Sequence, residues 1–258
     1  WGVDEKFPQN RLPYIDTLRS LIIPEEVARV AAMRSGKVDY IGHQARSALK
    51  VPDIVESLLR TNPDLKVWPY YFRSNAGMGY DVTKPPFNDI RVRKAMQLAL
   101  DLETVNKTFY KGLAIVTPQG PTGHFQTQFT VHYDQWPEEI KAGYRYDPEA
   151  AEKLLDEAGY PRGADGIRFS TKMDGAKHNG FILDYWAIVQ EYWRKIGIQS
   201  EVTVHDITDW VARVTGHKFE GMTWTIAAGP YHPLMAMEWY YGGATWNRGQ
   251  TNDPQYNA

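Results

Sequence analysis

The chain has 258 residues, a formal net charge of −2 at neutral pH and no cysteine. That length allows one large domain or two modest ones with a sizeable core. The balanced, dispersed charge argues against a nucleic-acid binder, which needs a basic face, and the lack of Cys excludes disulfides, thiolate metal sites and Cys nucleophiles. No apolar run approaches the roughly 20 residues of a membrane-spanning helix, and Trp1-Gly2-Val3-Asp4 does not read as a signal sequence. Nine Trp and sixteen Tyr supply flat amphipathic rings, which suit an aromatic core or a ligand cleft.

In chain order, Thr17 to Ile23 reads as a strand. A helix follows Pro24, with Val27, Val30 and Ala31 on one face, and Gly36 is its left-handed stop. Val38 to Ile41 reads as a second strand, which would complete a parallel βαβ unit. Ile54, Val55, Leu58 and Leu59 mark a helix over residues 53–60, and Leu65 to Phe72 is aromatic enough for an extended strand. Lys84-Pro85-Pro86-Phe87-Asn88-Asp89 is a turn that launches a helix, with Asp89 as N-cap and Val92, Ala95, Met96 and Ala99 as an apolar stripe. Asp101 caps a further helix, stopped by Gly112. Residues 113–146 show little period and read as a long structured loop. Asp147-Pro148 opens a helix ended by Gly159. A strand through Ile167, Phe169 and Thr171, a helix from Phe181 to Ile196, a strand from Ile198 to Val204, a helix from Thr208 to Thr215 and a strand from Phe219 to Ile226 complete the pattern. The segment from Gly242 is polar and reads as a tail. Alternating strands and helices indicate an α/β layered fold.

Enzyme signatures are missing: there is no Gly-x-Ser-x-Gly elbow, His-Glu-x-x-His or P-loop. Gly77-Met78-Gly79-Tyr80 lacks the third glycine of a dinucleotide loop, so no cofactor is expected. The seven histidines are scattered without the helical i, i+4 pairing that grips zinc, so no metal is expected either; His232 is the one histidine set apart as a ligand candidate. Glu138-Glu139 and Asp156-Glu157 read as solvated helix faces.

The Pro85-Pro86-Phe87-Asn88-Asp89-Ile90-Arg91-Val92-Arg93 segment closely resembles a signature of the family 5 extracellular solute-binding proteins of ABC importers. Leu12 to Asp16, Arg29 to Asp39, the Asp147 to Tyr160 helix (Asp-Pro-Glu-Ala-Ala through Glu-Ala-Gly-Tyr) and Trp193 to Ile198 are similar to further segments of that family in the expected order. The resemblance implies an α/β fold: a periplasmic binding protein-like (type II, cluster C-like) lobe, with a mixed sheet and flanking helices. It implies a partial first lobe over residues 1–70 and a second lobe, incomplete at its C-terminal end, over residues 71–258. Because family members are longer, the chain is expected to be a fragment. A lobe missing its partner strands exposes sheet edge and apolar surface, which favours self-association.

The function implied is capture of a small solute, peptide-like or other, between two lobes by hinge closure, with ABC permease subunits in the membrane as partners and a periplasmic or cell-surface-anchored location. No catalysis is expected. An aromatic-cleft hydrolase and a solute-binding sensor domain are the alternatives. Ligands of open α/β sheets sit at strand-end crevices. Trp224 matches the family's cleft Trp, and Trp210 and Arg213 lie at positions similar to a cleft Trp and nearby Arg of peptide binders. Tyr71 and Phe72 on the crossover strand, and Tyr231 and His232 after Trp224, complete the expected ligand set. Peptide binders follow the cleft Trp with an Asp for the peptide's α-ammonium. The stretch from Thr225 to Pro233 holds no acid, which argues against a simple peptide with a free N-terminus.

Overall fold

A computed structural model gives the structure of the chain and describes residues 2–42, 52–68, 74–118, 130–177, 180–228 and 240–254. The chain divides into two compact units, Trp1–Val67 and Trp68–Ala258.

In the first unit, α1 (Glu26–Arg34) and α2 (Pro52–Thr61) are tied by polar bonds. Arg34 donates to Thr61 Oγ1 (3.2 Å) and Ser57 Oγ (3.1 Å), and Asn62 Nδ2 donates to the Arg34 carbonyl (3.2 Å). Gly36 takes φ +69° after α1, the left-handed stop expected of it. The two expected flanking strands are not there: residues 17–23 and 38–42 carry no strand. β-branched runs make a strand only where another strand accepts their backbone bonds. The one bridge outside the named strands among the described residues joins Val3 to Arg11. Residues 65–68 are irregular, and the rest of the expected crossover strand lies outside the described residues.

The second unit is a mixed four-stranded sheet with helices packed against it. Its strands are β1 (Ser74–Tyr80), β2 (Phe169–Ala176), β3 (Ile198–His205) and β4 (Met222–Ala228), in spatial order β1-β4-β2-β3. β2 and β3 run parallel over eight register pairs, and β1 and β4 run antiparallel over seven. β4 meets β2 in parallel through only two pairs, Met173–Met222 and Asp174–Thr223.

The helices start where aspartates cap them. α3 (Ile90–Leu98) begins with Asp89 accepting from Arg91 N, α4 (Leu102–Thr108) with Asp101 accepting from Thr104 N, and α6 (Pro148–Glu157) with Asp147 accepting from Ala150 N. Between them, a single 3-10 turn at Tyr133–Gln135 and the short α5 (Glu138–Ala142) interrupt what reads in sequence as loop. α7 (Gly180–Lys195) and α8 (Ile207–Thr215) follow β2 and β3. Gly197 turns α7 into β3 at φ +85°, where a side chain would meet the Gly166 carbonyl at 2.9 Å.

The core gathers Val92, Met96, Leu155, Met173, Trp186, Val189, Trp193, Ile196 and Met222, all at most 2% exposed. The Trp193 indole donates to the Met96 carbonyl at 3.0 Å and links α7 to α3. The segment from 240 is not a free tail. Val82 N donates to the Gly249 carbonyl, Gln250 Nε2 to Asp81 Oδ1, and Asn247 and Arg248 are buried.

Candidate functional site

The parallel strands β2 and β3 end together at Ala176 and His205, and α8 starts two residues beyond His205. That edge is where open α/β sheets place their ligands, and it gathers Asp174, His205, Asp209 and Arg213 within ion-pair distance of one another. Asp174, near the end of β2, is 7% exposed. Its Oδ1 lies 3.3 Å from His205 Nε2, and its Oδ2 lies 3.7 Å from Arg213 Nη1. Asp209 Oδ2 is 2.9 Å from His205 Nδ1 and accepts from Arg213 Nε at 3.2 Å. Asp209 and Arg213 lie one turn apart on the same side of α8, and His205 closes β3 just before that helix. Asp209 and Arg213 are open to solvent while Asp174 and His205 are largely covered.

Beneath the charges lies an aromatic pair. Trp210 on α8 and Trp224 on β4 have ring centroids 5.2 Å apart and tilted planes. Their exposures are 3% and 1%. The Trp210 indole donates to Thr223 Oγ1 at 3.1 Å, and that hydroxyl donates to the Asp174 carbonyl at 3.2 Å. One bond chain therefore runs from α8 through β4 to β2. Arg248 closes the far side, its guanidinium 5.1 Å from the Trp210 ring centre and 5.5 Å from that of Trp246. Burial pulls the Arg248 pKa down to about 10. Gly79 admits Arg248 to this layer: a side chain there would meet Thr223 Cγ2 at 3.3 Å and Arg248 Cβ at 3.4 Å.

Of the residues expected from sequence, Trp210, Arg213 and Trp224 come together here. The expected ligand platform is a buried pair, with Arg213 alone of the three reaching solvent. Tyr71, Phe72, Tyr231 and His232 lie outside the described residues. Sequence reasoning missed Asp174, His205, Asp209 and Arg248. The four-residue spacing from His205 to Arg213 is a readable signal for the α8 members. Nothing local marks Asp174, which reaches the site only through the β2–β4 register opposite Thr223. A carboxylate does therefore stand beside the Trp224 strand, supplied by its neighbour.

The chemistry on offer is charge recognition. Among the described residues, no cluster of three His, Asp or Glu side chains could hold a metal ion, and no helix is long and apolar enough to cross a membrane.

The family described as "Bacterial extracellular solute-binding proteins, family 5 Middle" matches residues 2–248. The glutathione-binding protein GsiB of Escherichia coli (strain K12) is 26% identical over 208 residues, covering 81% of this chain and 36% of that protein; the GsiB of Salmonella typhi matches over the same shares. The chain thus spans a little over a third of the length of the curated relatives it matches. Among solved structures, NikZ from Campylobacter jejuni in complex with Ni(L-His) superposes with a TM-score of 0.68 at 17% identity, covering 90% of this chain and 45% of that one. The murein tripeptide binding protein MppA of Escherichia coli gives 0.67 at 17% identity, over 92% and 44% of the two chains. DppA from Helicobacter pylori in complex with the peptide STSA gives 0.66 at 21% identity, over 90% and 42%. At these identities the structures establish the fold, a periplasmic-binding-protein-like α/β lobe.

Proposed function

The chain belongs to the bacterial extracellular solute-binding proteins of family 5, and we propose that it forms part of the solute-capturing component of an ABC importer. In this reading the protein works outside the cytoplasm, in the periplasm or anchored at the cell surface. It closes two lobes around a small solute by hinge motion and hands it unchanged to the membrane permease. The solute's stronger affinity for the closed form sets the population shift.

The observation that carries the reading is the charged and aromatic cluster at the carboxyl ends of β2 and β3. Arg213 is its recognition group: its Nε donates to Asp209 and its Nη1 pairs with Asp174 at 3.7 Å, while its solvent-open guanidinium keeps further N–H donors to offer a carboxylate of the solute. Trp210 and Trp224 serve as the floor that fixes α8 and therefore Arg213. Tyr71, Phe72, Tyr231 and His232 are the proposed aromatic walls. The named relatives bind glutathione, peptides and a nickel–histidine complex, so a small carboxylate-bearing, peptide-like solute is the class proposed here.

The test is tryptophan fluorescence and small-angle scattering of the protein against a panel of glutathione, short peptides and metal–amino-acid chelates. A saturable emission change with a smaller radius of gyration, weakened about tenfold or more by Arg213→Gln, is expected. No response to any member of the panel would overturn the proposal.

A further inference from the structure

A second concavity lies away from the charged cluster. It encloses about 170 Å³ between β1, α3 and α7. Its walls include Met96 and Val189, both at most 2% exposed, and Tyr80, Gln97, Tyr185 and Trp186. The polar groups on those walls lack partners. The Trp186 indole N–H is buried without a hydrogen bond, although the ring is 2% exposed. The side-chain polar groups of Tyr80, Gln97 and Tyr185 likewise make no hydrogen bond with any described residue. Buried polar groups in native proteins are nearly always satisfied, by protein, by ordered water or by a ligand. Of these groups only the Trp186 N–H is fully covered, and with the three other polar side chains on the same walls it calls for a shared occupant.

Size and chemistry select it. A cavity of about 150 Å³ with purely apolar walls holds benzene, so this one fits a single six-membered ring. The apolar side chains suit the ring faces, while an indole donor and an amide call for a group that both accepts and donates. Burial pushes the Tyr185 hydroxyl up to about 12 and raises Tyr80 as well, so both stay neutral hydroxyls that donate and accept, and no Lys, Arg or His lines the cavity to offset an anion's charge. We propose that this cavity is a second binding site, for a neutral hydroxylated aromatic ring. The ring could be a free phenol or a tyrosine-type side chain of a larger molecule; the chemistry recognised is the same. The proposal does not rest on the transport reading, since it concerns different residues.

The experiment is fluorine NMR of para-fluorophenol and para-fluorotoluene with the full chain. Saturable binding of the phenol, about fivefold tighter than the toluene, is expected, the ratio being one hydrogen bond's share. Gln97→Leu should bring the two affinities together without changing that for the toluene. Competition by N-acetyl-tyrosinamide separates the sources: displacement marks a site that takes a tyrosine side chain, and its failure limits the site to free phenols. Absence of saturable binding of either probe would show a merely hydrated cavity and overturn the proposal. Equal affinity of the two probes for the unmodified chain would overturn recognition of the hydroxyl, whatever the variant does.

Discussion

Replacing Trp224 by alanine separates a floor from a contact surface. The ring is 1% exposed and packs 5.2 Å from Trp210, so its removal opens a cavity on which α8 also leans. Trp→Ala in a core costs about 3–5 kcal/mol, and the lost ring pair supplies about 0.5–1.5 kcal/mol of that. With 1 kcal/mol moving Tm by about 2–4 °C in a unit of this size, a loss of about 4 kcal/mol lowers Tm by roughly 8–16 °C. Trp224→Phe keeps most of the contact and should cost less than half as much. The assay is thermal and urea unfolding followed by far-ultraviolet circular dichroism, with Trp210→Ala and the double variant closing a cycle. A coupling of about 1 kcal/mol between the two rings is expected. A Tm unchanged within a few degrees, together with lost solute affinity, would refute the floor assignment and return Trp224 to the ligand surface.

Other outcomes follow from the same physics. Trp193→Phe deletes the bond to the Met96 carbonyl and should cost about 1–2 kcal/mol in urea unfolding. Arg168 has a 2%-exposed side chain that donates to the Ile196 and Tyr160 carbonyls and pairs with Glu152 and Asp156. Arg168→Met should cost about 3 kcal/mol or more, read by the same titration. The Glu152 carboxyl is held below its ordinary value of 4.5, first by its hydrogen bond from Arg162, which outweighs the opposing effect of burial, and then by Arg168. A depressed carboxylate adds stability that is present above the unfolded pKa and is lost as pH falls through the folded one. Stability should therefore drop on acidification below about pH 4.5 less steeply in Glu152→Gln than in the unmodified chain; parallel curves would refute this. Leu18, Ile22 and Val27 are 79%, 93% and 82% exposed, so the chain should self-associate in sedimentation runs at high concentration, and serine at all three positions should reduce it.

Helices were legible because their signals are local. Asp89, Asp101 and Asp147 announce three starts, and each side chain accepts the bond expected of it. β1 was not legible: Ser74-Asn75-Ala76-Gly77-Met78-Gly79-Tyr80 holds two glycines and no β-branched residue, and it is a strand because β4 pairs with it along its whole length. The reverse holds for Thr17–Ile23, where propensity finds no neighbour to bond. The site followed the same division. Trp210, Arg213 and Trp224 could be placed from sequence pattern and resemblance, whereas Asp174 and Arg248 join them through register and a chain return that no window of sequence contains. Trp210 is covered by Arg248 and Trp224 packs against Trp210 of α8, which is again a long-range fact.

The two-pair contact between β2 and β4 gives the sheet an uneven mechanical character. Two well-laddered ribbons, β1–β4 and β2–β3, meet along a seam so brief that its opening disrupts little backbone bonding. The Thr223 hydroxyl, bonded at once to Trp210 and to the Asp174 carbonyl, is the rivet on that seam. Thr223→Val keeps the shape and removes the rivet. In such a chain, amide hydrogens flanking the seam would exchange with solvent well before those within either ribbon, and the sheet would yield there first under load.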